Sequence, residues 1–482
     1  MNLDNWCKMD EAIYVALTDE TYRQYAGLAY DEVAIKRISS MNMRNSEMFL
    51  DIFDEPRSLY LSAIENVAEA KTKQLELKLH KLRGKKIVSN PKYRYDNAAV
   101  NWNTWRQFNN IENDPLARKS VFDEFIEKTQ FISPIIGRRF DIIREVYSSM
   151  SENVTPLSEY LENERLRFSE LHSFVTQMGE GARRPFLKSI SLASGILGRM
   201  PEYFDDFYFF RNRIFRDIER QFIKVNPLIE ISRTLKTIGF DLSSITFDVE
   251  DRPKKYPSPI CFFVRIPDDV RVLYKSESPY FDLQGCYHEV GHAIHATCID
   301  NKLSYTDRYK FPMGIAEIFS IFLERLTKNP SYLRSAIGIT DEELLDRLVE
   351  RNKLMELYFV TFYAANSLMK IKYWEDSLSV GQASVLYQQL MEKFTGFRMP
   401  GQYWMLHHIL PEAVMYTPSY LLAAVRASEL EKFLSDKFGE KWWQDKAAAN
   451  TLKDLMSKGA TIDLSLFSDL DKDVFLNEII DL

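Results

Sequence analysis

The chain has little cysteine, little glycine or proline, and few histidines. Four cysteines in 482 residues, Cys7, Cys261, Cys286 and Cys298, are too few and too scattered for a disulfide framework. No CxxC pair is present, which argues against a thiolate zinc site. With 17 glycines and 18 prolines the chain carries few breakers, as expected of long helices joined by short turns. No stretch approaches the roughly 18 apolar residues of a membrane span. The formal charge of −7 offers no basic surplus, which excludes nucleic acid as a main partner. The first residues, "MNLDNWCKMDEAIYVALTDE", show neither a basic region nor an apolar core of the kind a secretory leader needs. No internal repeat or low-complexity segment is evident. These absences lead to the expectation of a cytoplasmic protein engaging neither membrane nor nucleic acid.

What is present is enough apolar residue, 45% of the chain, to bury a sizeable core. Apolar positions recur at three and four, as from Asn45 to Leu82, so most of the chain reads as helix. The basic, turn-rich stretch Arg83 to Asn97 reads as a solvated loop. Arg211 to Phe222 mixes charges at helical spacing and reads as a solvated helix face. One region differs: "SSITFDVED" and "PICFFVRIPDDVRVLYKS" are β-rich, with Pro267–Asp269 separating two extended runs, and predict a hairpin in a small sheet. The chain is therefore divided near residue 240. A helical half, 1–240, precedes a half, 241–482, with the sheet and further helices, and the two are expected to share one core.

Immediately after the β-rich region comes "GCYHEVGHAIHATC", which holds three of the chain's seven histidines. His288-Glu289-Val290-Gly291-His292 is an HExxH motif. On a helix, positions four apart lie one turn apart on one face, so two imidazoles can reach the same metal ion. Glu289 projects to a neighbouring direction, where a carboxylate can take a proton from water. Gly291 inside a helix costs about 1 kcal/mol relative to Ala, which a close approach by another backbone or by substrate would explain.

A catalytic zinc takes three protein ligands and leaves a position for water. In "FPMGIAEIFSIFLERL", Pro312 stands near a helix start, and Glu317, Ser320 and Glu324 share one face of an otherwise apolar helix. A carboxylate there needs a partner, and a metal with its imidazoles supplies one. Glu317 is the candidate third ligand, with Glu324 and Ser320 supporting the ligands from behind. His295 shares the face of His288 and is expected to support the site or contact substrate. Further along, "WMLHHILPEAVMYTPSY" carries His407, His408, Tyr416 and Tyr420. Attack on a peptide carbonyl builds an oxyanion, which imidazole or phenol groups such as His408, Tyr420 and Tyr416 can stabilise.

These motifs resemble the HExxH-plus-glutamate zinc peptidases, specifically the thimet oligopeptidase (oligoendopeptidase F) and carboxypeptidase Taq families. "HEVGHAIH" followed after 25 residues by Glu317 in "GIAEIFSIFLE" is similar to the oligopeptidase pattern. The path from His408 to "MYTPSY" is closer to carboxypeptidase Taq, and the spacing of twelve from His408 to Tyr420 is similar in both. The resemblance covers roughly residues 240–440. It implies a mainly α, elongated, zincin-type molecule with a small β-sheet beside a deep active-site groove. It also implies one Zn2+ per chain, short peptides as substrates, and a sheet edge from the 260–274 hairpin holding the peptide.

The chain departs from the carboxypeptidase pattern where Leu273 in "DVRVL" replaces a threonine. It lacks a clear arginine for a substrate carboxylate, with Lys370 and Lys372 as substitutes. Three readings stay open: an oligopeptidase cutting within peptides, a metallocarboxypeptidase releasing single C-terminal residues, and a catalytically retired peptide-binding protein.

Overall fold

The computed structural model describes residues 2–53, 55–83, 101, 105–150, 154–276, 278–406, 414–467 and 470–480. His407, His408 and residues 84–97 of the basic stretch lie outside them. The described residues are mainly helical, with one three-stranded sheet. Among them no helix is long and apolar enough to cross a membrane. Two compact units divide the chain. The first comprises Met1–Lys73, Glu219–Asp346 and Leu422–Asp471, and the second Gln74–Ile218, Arg347–Leu421 and Lys472–Leu482. Each unit draws on both sides of residue 240, so the units group the chain differently from two successive halves.

The segment Arg211–Phe222 is not the solvated helix that its charges suggest. A π turn, Phe209–Arg213, gives way to turns and a short 3-10 helix, Glu219–Gln221. Ile214 and Phe215 are both buried, at 1% and 0% exposure. Adjacent residues point in directions a one-sided helix cannot bury together, and tertiary packing overrides the local pattern.

The second unit is cored by helices that include Pro115–Thr129, Ser133–Met150 and Phe168–Ala193. Its polar centre is a buried pair, Arg118–Asp205 at 2.7 Å, with the guanidinium 3.8 Å above the Tyr208 ring. Arg199 reaches the same carboxylate at 2.7 Å, so the buried charge is shared rather than isolated.

The first unit holds the sheet: β1 (Ile245–Asp248), β2 (Ile260–Arg265) and β3 (Asp269–Leu273), in the order β1-β3-β2. β2 and β3 form the expected hairpin, with Cys261 opposite Val272 and Phe263 opposite Val270. β1 pairs with β3 in parallel. Side chains alternate between the two faces of a strand. Phe262, Val264 and Leu273 point to one side, where Tyr22 and Ala26 of the first helix's C-terminal end cover them. Tyr22 stands edge-on to Phe262 at 5.5 Å and donates to Asp248 at 2.9 Å, so it locks helix to sheet by both packing and hydrogen bond.

Cys261 and Phe263 point to the other side, where the motif helix, Pro279–Cys298, lies. Pro279 opens this helix at a position that needs no N–H. The Ser278 N–H donates to Asp282 at 3.1 Å, which puts an acidic group at the positive end of the helix. The helix is buried on nearly all sides, including Tyr280, Leu283, Tyr287, Val290 and Ile294 at 0% exposure. It packs most closely on the helix Met313–Leu326, which begins just after Pro312.

Gly291 sits at that crossing. A Cβ there would stand 2.4 Å from the Phe319 carbonyl oxygen and 2.6 Å from the Ser320 Cα. The close approach is therefore made by another backbone. Replacing Gly291 with Ala should gain helix propensity but force the helices apart, for a net loss of roughly 1–3 kcal/mol. A lowered denaturant midpoint relative to wild type would show it; an unchanged or raised midpoint would not fit this packing.

Candidate metal and catalytic site

The crossing of the two helices brings the polar residues of each together inside the first unit. His288 and His292 sit one turn apart on the motif helix, with ring centroids 5.0 Å apart and planes at 84°. Their Nε2 atoms lie 3.3 Å and 3.5 Å from the same oxygen, Oε2 of Glu317. One ligand atom from each of the three residues lies within 4.8 Å of the other two. A zinc ion held tetrahedrally at about 2.0–2.1 Å by nitrogen and oxygen separates its ligand atoms by roughly 3.3–3.4 Å. The two distances to Glu317 match such edges, so these residues fit a zinc ion.

Glu317 and His288 each have a support. Glu317 is 1% exposed, and a carboxylate so buried needs compensation. The Ser320 hydroxyl donates to its Oε2 at 2.8 Å from one turn further along the helix. Glu324 places Oε2 3.1 Å from Nδ1 of His288, the ring nitrogen turned away from the convergence point. Glu324 Oε1 in turn lies 2.7 Å from the Lys328 ammonium. Lys328 is absent from the sequence expectations. Its only signal there is an opposite charge four residues from Glu324, a pattern common on any helix.

The electrostatics follow from burial and from these carboxylates. Burial opposes protonation of His288, but hydrogen bonds to Glu317 and Glu324 outweigh it and hold its pKa well above the usual value. His292 gains less from Glu317, and burial brings it down to about 4. Burial likewise raises Glu289 to about 7, with the charge on His288 acting against it and Glu317 adding to the rise. For Glu324 burial is overcome by Lys328 and His288, which hold it well below the carboxylate range. Glu289 is half-buried and faces the backbone of Cys261 on β2, while Phe263 of the same strand stands 6.2 Å from the His292 ring.

His295, expected to support the site or contact substrate, is enclosed among aromatic side chains. It is 1% exposed and packed against Phe311 and Phe319, with centroids at 5.3 and 4.6 Å. Burial brings its pKa down to about 3, so it is a neutral ring in an aromatic core. Tyr416 and Tyr420 belong to the second unit, where their rings lie 5.2 Å apart and Tyr420 packs on Tyr363 at 4.8 Å. His408 lies outside the described residues. Of the two substitutes for a carboxylate-binding arginine, one is buried and the other is ion-paired at the surface. Lys370 is 0% exposed beneath Phe140 and Trp404, where burial, aided by Arg139, lowers it to about 7. Lys372 is paired with Glu375 at 2.9 Å and Asp376 at 3.2 Å.

No protein-family model and no curated protein matches the chain. Solved structures do share its fold. PZ peptidase A, solved with an inhibitor, aligns over 99% of this chain and 85% of its own, with a TM-score of 0.62 and 13% identity. Metallocarboxypeptidase 1 of Trypanosoma cruzi aligns over 99% and 97%, at 0.59 and 13%. The M32 carboxypeptidase of Deinococcus radiodurans R1 aligns over 99% and 98%, at 0.60 and 13%. At such identity the likeness establishes the fold, which is that of mainly helical metallopeptidases with a small sheet.

Protein loaded with zinc and dialysed should retain about one ion per chain, and Glu317→Ala almost none. Ser320→Ala should retain it with affinity lowered roughly tenfold, as for other groups that orient a ligand. Elemental analysis and chelator competition measure both. Undiminished zinc in Glu317→Ala would remove Glu317 from the ligand set.

Proposed function

We propose that the chain is a zinc-dependent metallopeptidase that hydrolyses peptide bonds in oligopeptides. The observation that carries this reading is the convergence of His288 and His292, whose Nε2 atoms lie 3.3 and 3.5 Å from one oxygen of Glu317, with Glu289 beside them. Zinc held by these three residues would supply Lewis acidity, making water a competent nucleophile near neutral pH.

The remaining work falls to the chain's own groups. Glu289 accepts the proton of the attacking water and returns it to the nitrogen of the departing amine. Its position one residue after His288 keeps it next to the ligands without making it one. The Glu324 carboxylate, accepting from His288 Nδ1, fixes the tautomer in which Nε2 carries a lone pair toward the metal. Tyr420 and His408 are proposed to stabilise the oxyanion of the tetrahedral intermediate, with Tyr416 as a further candidate. β2, which among the described residues pairs only with β3, offers its outer edge to an extended peptide. Strand addition there would run the substrate past Cys261 and Phe263. The four cysteines are all free, which fits residence in the reducing cytoplasm.

A second reading, release of single C-terminal residues, draws on size. The two carboxypeptidases are covered over 97% and 98% of their length, PZ peptidase A over 85%. Against it stands the state of the two candidate cations, Lys370 being buried and Lys372 paired with Glu375.

Peptides of graded length, with free and amidated C-termini, separate the two. Internal cuts insensitive to amidation are expected; a ladder of single C-terminal losses abolished by amidation would establish the carboxypeptidase instead. Glu289→Gln should keep its zinc and lose turnover by roughly 10²–10⁴-fold. Equal turnover by the variant, or none by wild-type protein carrying zinc, would favour a retired peptide-binding protein.

A further inference from the structure

We infer that Lys328 is a positioning residue of the metal site: its ammonium holds the Glu324 carboxylate against His288, and so fixes the imidazole that presents Nε2 to the ion. The inference rests on the zinc reading of His288, His292 and Glu317.

Glu324 uses both of its oxygens. Oε2 lies 3.1 Å from His288 Nδ1, and Oε1 lies 2.7 Å from Lys328 Nζ. The carboxylate is thus held at two corners, and turning it toward water would break both contacts. An exposed ion pair of this spacing would contribute little. Here the side chains of Lys328 and Glu324 are only 18% and 22% exposed, and the pair ends on a third group, the His288 ring at 18%.

The turn that carries Lys328 is itself anchored. Thr327 Oγ1 donates to the Glu324 carbonyl at 2.7 Å, and the Lys328 N–H donates to the Arg325 carbonyl at 3.0 Å. Tyr280 of the motif helix donates its hydroxyl to the Thr327 carbonyl at 3.3 Å, and Gln284 Nε2 donates to that hydroxyl at 3.1 Å. The motif helix therefore tethers the turn at Tyr280 and meets Glu324 two turns later at His288. Lys328 closes this ring of contacts.

Charge leads to the same assignment. Glu289, Glu317 and Glu324 bring three carboxylates to one place, and a divalent ion offsets two. Lys328 lies where it offsets the third without approaching the ligand atoms, because Glu324 and the imidazole stand between. Acting through Glu324, it differs from a bystander cation, which would act through space whether or not Glu324 is present.

That difference sets the test, a double-mutant cycle on zinc affinity measured on the full chain by competition with a chromophoric chelator. Lys328→Met is expected to weaken zinc binding several-fold, up to about tenfold. Lys328→Arg, which keeps the charge, should restore affinity to within about twofold of wild type. In the Glu324→Gln background the same Lys328→Met change should add less than about twofold. Tighter zinc binding by Lys328→Met, or the same fold-change in both backgrounds, would overturn the inference and leave the metal reading intact. Wild-type protein that binds no zinc would overturn both.

Discussion

Everything at the candidate site depends on how closely two helices can approach. Gly291 removes the side chain that would otherwise meet the Phe319 carbonyl and the Ser320 Cα. The motif helix can then lie directly against the helix that carries Glu317. Glu317 is two residues before Phe319, and Ser320 one after, so the tightest contact between the backbones is also where the third ligand and its hydroxyl support enter. A glycine that weakens its own helix by about 1 kcal/mol is kept by the packing it permits.

The second constraint is electrostatic. Three carboxylates and two imidazoles meet in a place largely closed to water, and unpaired buried charge is costly. The structure answers with an ordered series of partners. Ser320 donates to Glu317, His288 bridges Glu317 and Glu324, and Lys328 closes the far end. Fixed donors and acceptors of this kind hold their geometry before substrate arrives, and preorganisation of that sort is what polar catalysis requires.

Much of this was legible in the residues. Spacing alone set His288, Glu289 and His292 on one helix, and the cost of burying a carboxylate singled out Glu317, Ser320 and Glu324. The hairpin of β2 and β3 followed from β-forming residues and the turn between them. Other features depend on contacts that no local pattern encodes. The parallel pairing of β1 with β3 joins segments more than twenty residues apart. The aromatic surroundings of His295 are made by Phe311 and Phe319, a packing that no local pattern encodes. The helix expected over Arg211–Phe222 gave way because adjacent apolar residues there are buried together. Lys328 went unseen because an acid and a base four apart usually mark nothing more than a solvated helix face.

The central claim is that His288, His292 and Glu317 hold one ion. Crystals of the zinc-loaded protein, measured on both sides of the zinc absorption edge, test it most directly. The account predicts a single anomalous peak within about 2.0–2.2 Å of both Nε2 atoms and a Glu317 carboxylate oxygen. A peak elsewhere, or a Glu317 side chain turned away from a peak held by the two imidazoles alone, would contradict it.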